Sequence, residues 1–160
     1  AEQNGAEAAA RHAADPRCVG RSRGGLTTKI HALVDRKGRP IALKLTPGQA
    51  HDGKSAADML ASLKKGQTLL ADAAYDSDAL REDLRQRGVK GEIKPMPGRV
   101  VALRLNKGAY KKRNAVERFF NKMKHYRAVA TRYEKHANNF LALVKLAAVQ
   151  IWIRSYESVT

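Results

Sequence analysis

The sequence predicts an α/β fold, and three observations carry the prediction. Residues 26–35 and 41–47 alternate apolar and polar side chains, as strands with one buried face do. The apolar spacing then switches to helical over 51–65, 76–88 and the C-terminal third. Short apolar runs of strand length separate those helices, so the order is strand, strand, helix, strand, helix, strand, helix, helix. That order makes a hairpin feeding a partly parallel sheet flanked by helices.

Each element has a local reason. Residues 1–25, "AEQNGAEAAARHAADPRCVGRSRGG", lack large apolar side chains and read as a flexible arm or linker, which leaves 26–160 as the folded domain. "LTTKIHALVD" alternates through Ile30, Ala32 and Val34, and "IALKLTP" through Ile41, Leu43 and Leu45. The "DRKGRP" between them is a short glycine-containing turn. "HDGKSAADMLASLKK" is helical through Ala56, Met59, Leu60 and Leu63. "QTLLAD" is a strand-length run ending on Asp72. "DSDALREDLRQRG" is a helix with Asp76 or Ser77 as its N-cap and Gly88 as its stop. "GEIKP" is a further strand, and the Pro97-Gly98 pair marks a loop over 96–108. Two helices close the chain, over 110–126 and 138–154. The second is apolar almost all round, which predicts a buried packing helix, with Trp152, Phe140 and Tyr156 in the core.

The charge balance narrows the partner. The chain has 31 Lys+Arg against 15 Asp+Glu, a net charge of +16. Twelve of the cations and only two of the acids fall between Arg99 and Lys135. Clustering of that kind fits a face that binds a polyanion better than it fits general solubility. The single cysteine, Cys18, excludes an internal disulfide framework and any multi-cysteine metal site, and it suits a reduced cytoplasm. No apolar run is long enough to span a bilayer, and no signal peptide is visible. The chain begins with Ala1, so a processed protein or the tail end of a longer reading frame is expected.

Within "YKKRNAVERFFNKMK" a lone acid, Glu117, sits among many cations. A helix turns about 100° per residue, so Arg113, Glu117 and Lys124 fall at roughly 300°, 340° and 320° from Tyr110. All four side chains share an arc of about 60°. Val116, Phe119, Phe120 and Met123 occupy the neighbouring arc and are expected in the core, while Lys111, Arg118 and Lys122 point elsewhere, available to phosphates. Taken alone, Glu117 reads as an ion-pair partner of Arg113 or Lys112.

The spacing Tyr110, Arg113, Glu117, Lys124 nevertheless resembles the signature of DDE transposases of bacterial insertion sequences. "RSRGGLTTKIHALVD", "LTPGQAHD", "LLADAAYDSDALRE" and the segment after the signature are similar to the same group in the same order, from about Arg21 to Arg154. The likeness is to the insertion-sequence family five branch of the IS4-like transposases. It implies a ribonuclease H-like fold, a mixed sheet flanked by helices. It implies Asp72 as the second catalytic acid and Glu117 as the third, both ligands to Mg²⁺ or Mn²⁺. Tyr110, Arg113 and Lys124 correspond to residues expected to contact DNA, with Lys111, Arg118 and Lys122 as supporting cations. The implied partner is double-stranded DNA, both transposon ends and target, in a bacterial cytoplasm and associated with the nucleoid.

The residue types suit that chemistry. Cutting DNA and joining a 3′ hydroxyl to a new phosphate are in-line displacements, for which two divalent ions about 4 Å apart can stabilise the attacking and leaving oxygens. Mg²⁺ takes oxygen ligands and keeps several waters, so a few carboxylates suffice. One departure stands out: the strand that should carry the first catalytic Asp has no match. Asp15 precedes a proline and lacks strand character, Asp35 sits in the hairpin turn, and Asp52 opens a helix. The expectation is a partial catalytic domain without its first strand, from a fragment or from a split or frameshifted gene. It would self-associate or rely on an upstream transposase polypeptide, and its competing reading is a catalytically dead remnant that only binds DNA. His31 and His51 as metal ligands, and Asp76 or Asp78 as supporting ligands, are weaker than their structural readings.

Overall fold

The computed structural model describes residues 17–22, 25–52, 58–100 and 103–157. The arm expected over 1–25 therefore lies largely outside the described residues, as does Ala56 of the helix expected after the hairpin, although 58–60 are helical.

The hairpin forms where alternation places it. Strands β2 (Gly25–Val34) and β3 (Pro40–Pro47) pair antiparallel, with Ile30 opposite Leu45 and Ala32 opposite Leu43. Asp35 closes the turn by accepting the Lys37 and Arg39 amides, each at 2.9 Å, and the Arg39 Nε at 2.6 Å. Gly38 takes φ +79°, and a Cβ there would meet the Ala115 carbonyl oxygen at 2.9 Å. Only glycine lets this turn lie so close to the helix that carries Glu117.

A short strand β1 (Gly20–Ser22) precedes the hairpin and pairs with Gly25–Thr27. Backbone hydrogen bonds hold Gly20–Ser22, a segment with too few apolar side chains to announce itself as a strand. Strands β4 (Thr68–Ala71) and β5 (Lys90–Ile93) pair in parallel, Leu70 beside Glu92, around helix α1 (Asp78–Gln86). Ser77 caps α1 by accepting the Leu80 amide at 3.2 Å, and Gly88 (φ +66°) follows the C-cap.

The hairpin and the parallel pair expected after it are both present, but no ladder joins them. The described strands form two sheets, β1-β2-β3 and β4-β5. Side chains alone join them: β2 turns Leu33 toward a core of Leu60, Leu69, Leu80, Leu84, Val89 and Ile93. Its neighbours Ile30, Ala32 and Val34 face a second core of Phe119, Met123, Val129, Phe140, Val144, Ala147 and Ile151. A strand's side chains alternate between its faces, so β2 serves both cores at once.

The helix expected over 110–126 is segmented. It runs as α2 (Lys107–Tyr110), one 3₁₀ turn (Lys111–Arg113) and α3 (Asn114–Met123), followed by the short α4 (Arg127–Ala130). The last helix, α5 (Ala137–Glu157), buries Phe140, Val144, Ala147, Ala148 and Ile151. It is not buried all round, since Leu146, Val149, Ile153 and Tyr156 are exposed. Trp152 is half-buried and donates its indole N–H to the Pro40 carbonyl at 2.8 Å, with Arg39 stacked over its ring. No helix among the described residues is long and apolar enough to cross a membrane.

Candidate functional site

Asp72 follows directly on the apolar strand β4, where parallel pairing with β5 ends. Its Oδ1 accepts the Ala74 amide at 3.2 Å and so caps the 3₁₀ turn Ala73–Tyr75. The side chain is 53% exposed, and its other oxygen, Oδ2, lies 3.9 Å from a terminal nitrogen of Arg113.

Arg113 approaches from the other core. The buried Glu92, at the end of β5, accepts the Asn106 amide at 3.0 Å, and Asn106 in turn caps α2 through the Ala109 amide. That pair fixes where the helical segment starts. Ala115, Phe119 and Met123 bury one face of α3, which turns Glu117 outward on the opposite side. Glu117 accepts the second terminal nitrogen of Arg113 at 2.6 Å, an i,i+4 pair. Tyr110 completes the group, with the Arg113 guanidinium 5.6 Å from its ring centre. Burial pushes the Tyr110 phenol up; the Arg113 charge opposes this, and the Asp72 and Glu117 carboxylates add to it.

Asp72, Tyr110, Arg113 and Glu117 therefore meet, although Asp72 and Glu117 lie far apart in the chain. The remaining candidates do not join them. Lys124 is the C-cap of α3, on nearly the same face as Glu117 but about 10.5 Å further along the axis. Lys111 lies in the 3₁₀ turn and is exposed. Arg118 donates to the Arg36 carbonyl at 3.3 Å, and Lys122 lines a cleft beside α5. Among the described residues no three or more His, Cys, Asp or Glu side chains gather where they could hold a metal ion. Asp72 and Glu117 fit such an ion as a partial ligand set of two hard oxygen donors, provided Arg113 releases them.

Sequence reasoning left without a role the residues that seat Asp72. Tyr75, three residues on, places its hydroxyl 2.8 Å from His31 Nδ1 on β2. His31 Nε2 lies 2.7 Å from the Thr46 hydroxyl on β3. Both ring nitrogens are thus engaged within the protein, and burial lowers the imidazole pKa, so neutral His31 serves as a strut. Asp52, which Lys29 holds at 2.8 Å, acts in the opposite sense. Burial, followed by the Asp52 and Asp72 charges, pushes the Tyr75 phenol up to about 12. The "AYDS" that follows Asp72 was the available signal, but its partner is 44 residues away.

Asp76 is likewise a strut. Its side chain is fully buried; it receives the Met96 amide and Arg81 Nε, both at 2.7 Å, and lies 3.1 Å from Arg99. Burial alone would raise its pKa, yet these donors hold it below the usual carboxylate range.

Comparison with known proteins identifies the family. Residues 8–152 match the family model for the transposase DDE domain. The protein named as transposase of insertion sequence element IS6501 in Brucella ovis is 41% identical over 130 residues, covering 81% of this chain and all of that protein. The transposase of IS1106 from Neisseria meningitidis serogroup B is 35% identical over 65 residues, which are 41% of this chain and 23% of its own length. The protein named as transposase of IS402 in Burkholderia cepacia is 28% identical over 150 residues, or 85% of this chain and 66% of that one. No solved structure matches the chain. With 145 of its 160 residues inside the family model, the chain belongs to the transposase DDE domain family.

Proposed function

We propose that this chain carries the catalytic acids of DNA transposition on a ribonuclease H-like scaffold, with Asp72 and Glu117 as the pair that works at phosphorus. One observation carries the reading: two acids 45 residues apart in sequence reach the two ends of a single guanidinium. The break in hydrogen bonding between β2 and β4 supports the scaffold, because one mixed sheet without a central strand would be interrupted in this way. A split of that kind also agrees with a first acid supplied by another polypeptide.

The side chains divide the work. Lys124, Lys111 and Arg118 neutralise DNA phosphates on the side of the acids and Lys122 does so on another face of α3, which makes binding salt-dependent. Asp72 and Glu117 would hold Mg²⁺ or Mn²⁺, which when bound supplies charge neutralisation at the reacting phosphate. Arg113 must leave Glu117 for that, and its freed planar fork then suits a phosphate oxygen of the substrate. Tyr110, on which Arg113 rests, keeps the guanidinium near the site during the exchange. The setting is the bacterial cytoplasm, on nucleoid DNA.

Alone the chain should bind DNA with little or no cleavage, so Mg²⁺-dependent nicking of an end-labelled duplex that carries element ends, with the upstream polypeptide that supplies the first acid added, tests the assignment. Activity present in the wild type and lost in both Asp72→Asn and Glu117→Gln is the expected result; activity retained in either variant rejects it. The second reading is a remnant that only binds DNA. Duplex binding without nicking, unchanged by both substitutions, would select it.

A further inference from the structure

A second polar feature lies away from the acid pair. Lys37 from the β2–β3 turn, Lys122 from α3, His125, and Arg154 from α5 line a cleft of about 450 Å³ with Tyr126 and Ile151. Three separate parts of the chain bring these cations together. No Asp or Glu among the described residues lines the cleft: Asp35, the acid nearest to Lys37 in sequence, is committed to Arg39, and Glu157 lies outside the lining. The Lys37 and Lys122 ammonium groups and the Arg154 guanidinium form no ion pair among the described residues, in contrast to Arg39, Arg81, Arg85 and Arg99. The Tyr126 hydroxyl is shielded from solvent and has no hydrogen-bond partner among the described residues. Buried hydroxyls are ordinarily satisfied, and one left open on a residue that lines a cationic cleft can donate to an anion that reaches it.

The cleft also faces away from the acids. Lys122 follows Glu117 by five residues, which sets it about 140° around the axis of α3. A phosphate held here cannot be the one placed at Asp72 and Glu117.

We propose that this cleft is a second backbone-phosphate site for nucleic acid, separate from the acid pair, with Lys37, Lys122 and Arg154 as its cations and the Tyr126 hydroxyl as a neutral donor. The proposal rests on the nucleic-acid reading above and adds a binding surface to it. Several converging cations around an opening of this size fit successive phosphodiesters along a strand.

Binding of a fluorescent 30-base-pair duplex, followed by anisotropy in EDTA across a salt series, tests the cleft without any chemistry. The double variant Lys37→Gln/Arg154→Gln should flatten the plot of log affinity against log salt by about two, close to 0.9 for each phosphate that the protein no longer neutralises. The charge-matched double variant Lys64→Gln/Lys145→Gln, away from the cleft, should leave the slope near wild type. Tyr126→Phe should bind duplex roughly two- to tenfold more weakly at an unchanged slope, with thermal stability no lower than wild type. Equal slopes for the two double variants, or full affinity in Tyr126→Phe, overturn the cleft. A small-anion site would instead show inorganic pyrophosphate binding, lost in Lys37→Gln/Arg154→Gln, while duplex binding stayed intact; that result also overturns the assignment. A wild-type chain that binds no duplex at any salt would sink the nucleic-acid reading itself, which separates the two failures.

Discussion

Replacing Arg113 with Gln should tighten divalent-cation binding, and the structure sets the size of the gain. The guanidinium is 2.6 Å from Glu117 and 3.9 Å from Asp72, and both acids are 53% exposed. Pairs that exposed are worth about 0.5–1 kcal/mol for the hydrogen-bonded one and a few tenths for the other. A cation that takes both acids must displace the guanidinium. If it stays within about 6 Å, it also repels a dication by about 1 kcal/mol in water-like dielectric, less in salt. Together these terms come to about 1–2 kcal/mol, a gain of roughly five- to thirtyfold in affinity. Electron paramagnetic resonance of free Mn²⁺, titrated against protein without DNA, reads that gain directly. Arg118→Gln is the control, because it removes an equal charge one residue from Glu117 but touches neither carboxylate. Unchanged or weaker Mn²⁺ binding in Arg113→Gln, or an equal gain in Arg118→Gln, refutes the shared grip. The same substitution should weaken duplex binding, so the two ligands respond with opposite signs.

Two further predictions concern the scaffold, one at the strut Asp76 and one at the turn glycine Gly38. Asp76→Asn should destabilise the fold by about 2–4 kcal/mol in urea denaturation, because Arg81 and Arg99 would be left facing a neutral side chain in a buried site. The Asp76 pKa is depressed in the folded protein, so its contribution is present above the ordinary Asp value of about 3.9 and fades as pH falls through the folded value. Wild type and Asp76→Asn should therefore converge in stability on acidification, and a constant gap across that range would contradict the assignment. Gly38→Ala should cost about 2–3 kcal/mol, since it combines a left-handed backbone with a close approach to the Ala115 backbone. Gly66→Ala shares the positive φ but has nothing within 4 Å, so it should cost only about 1 kcal/mol; equal losses would show that the turn does not press on α3.

How much of this was legible followed from where the information sits in the chain. The β2–β3 hairpin, β4, α1 and β5 announced themselves because alternation, apolar runs and caps are local properties. Asp72 and Glu117 could be paired only through the resemblance, since no local pattern places residues so distant in sequence side by side. Strand β1 was missed because Gly20–Ser22 contributes backbone hydrogen bonds and almost no apolar surface. Where β2 and β4 lie relative to each other has no local signal either, because strand neighbours are chosen by tertiary packing. On α5 the apolar composition was read correctly but its burial was overstated: Tyr156 is 63% exposed, with its ring stacked on Trp152 near Arg39.

The position of the acids depends on β2 more than on either element that bears them. Asp72 is seated through Tyr75, which reaches His31 on one side of that strand, and through the core that Leu33 joins. Glu117 is seated through Phe119 and Met123, in the core that Ile30, Ala32 and Val34 join, and through Ala115 against the turn after β2. No hydrogen bond connects β4 to α3 among the described residues; the side chain of Arg113 spans the remaining distance. A substrate or cation that withdraws Arg113 therefore leaves the acid separation to the stiffness of one ten-residue strand and the packing on its two faces. A backbone fixed by ladder hydrogen bonds and filled on both sides moves little when a surface ion pair opens. Opening the Arg113 pairs should therefore leave the separation of Asp72 and Glu117 nearly unchanged.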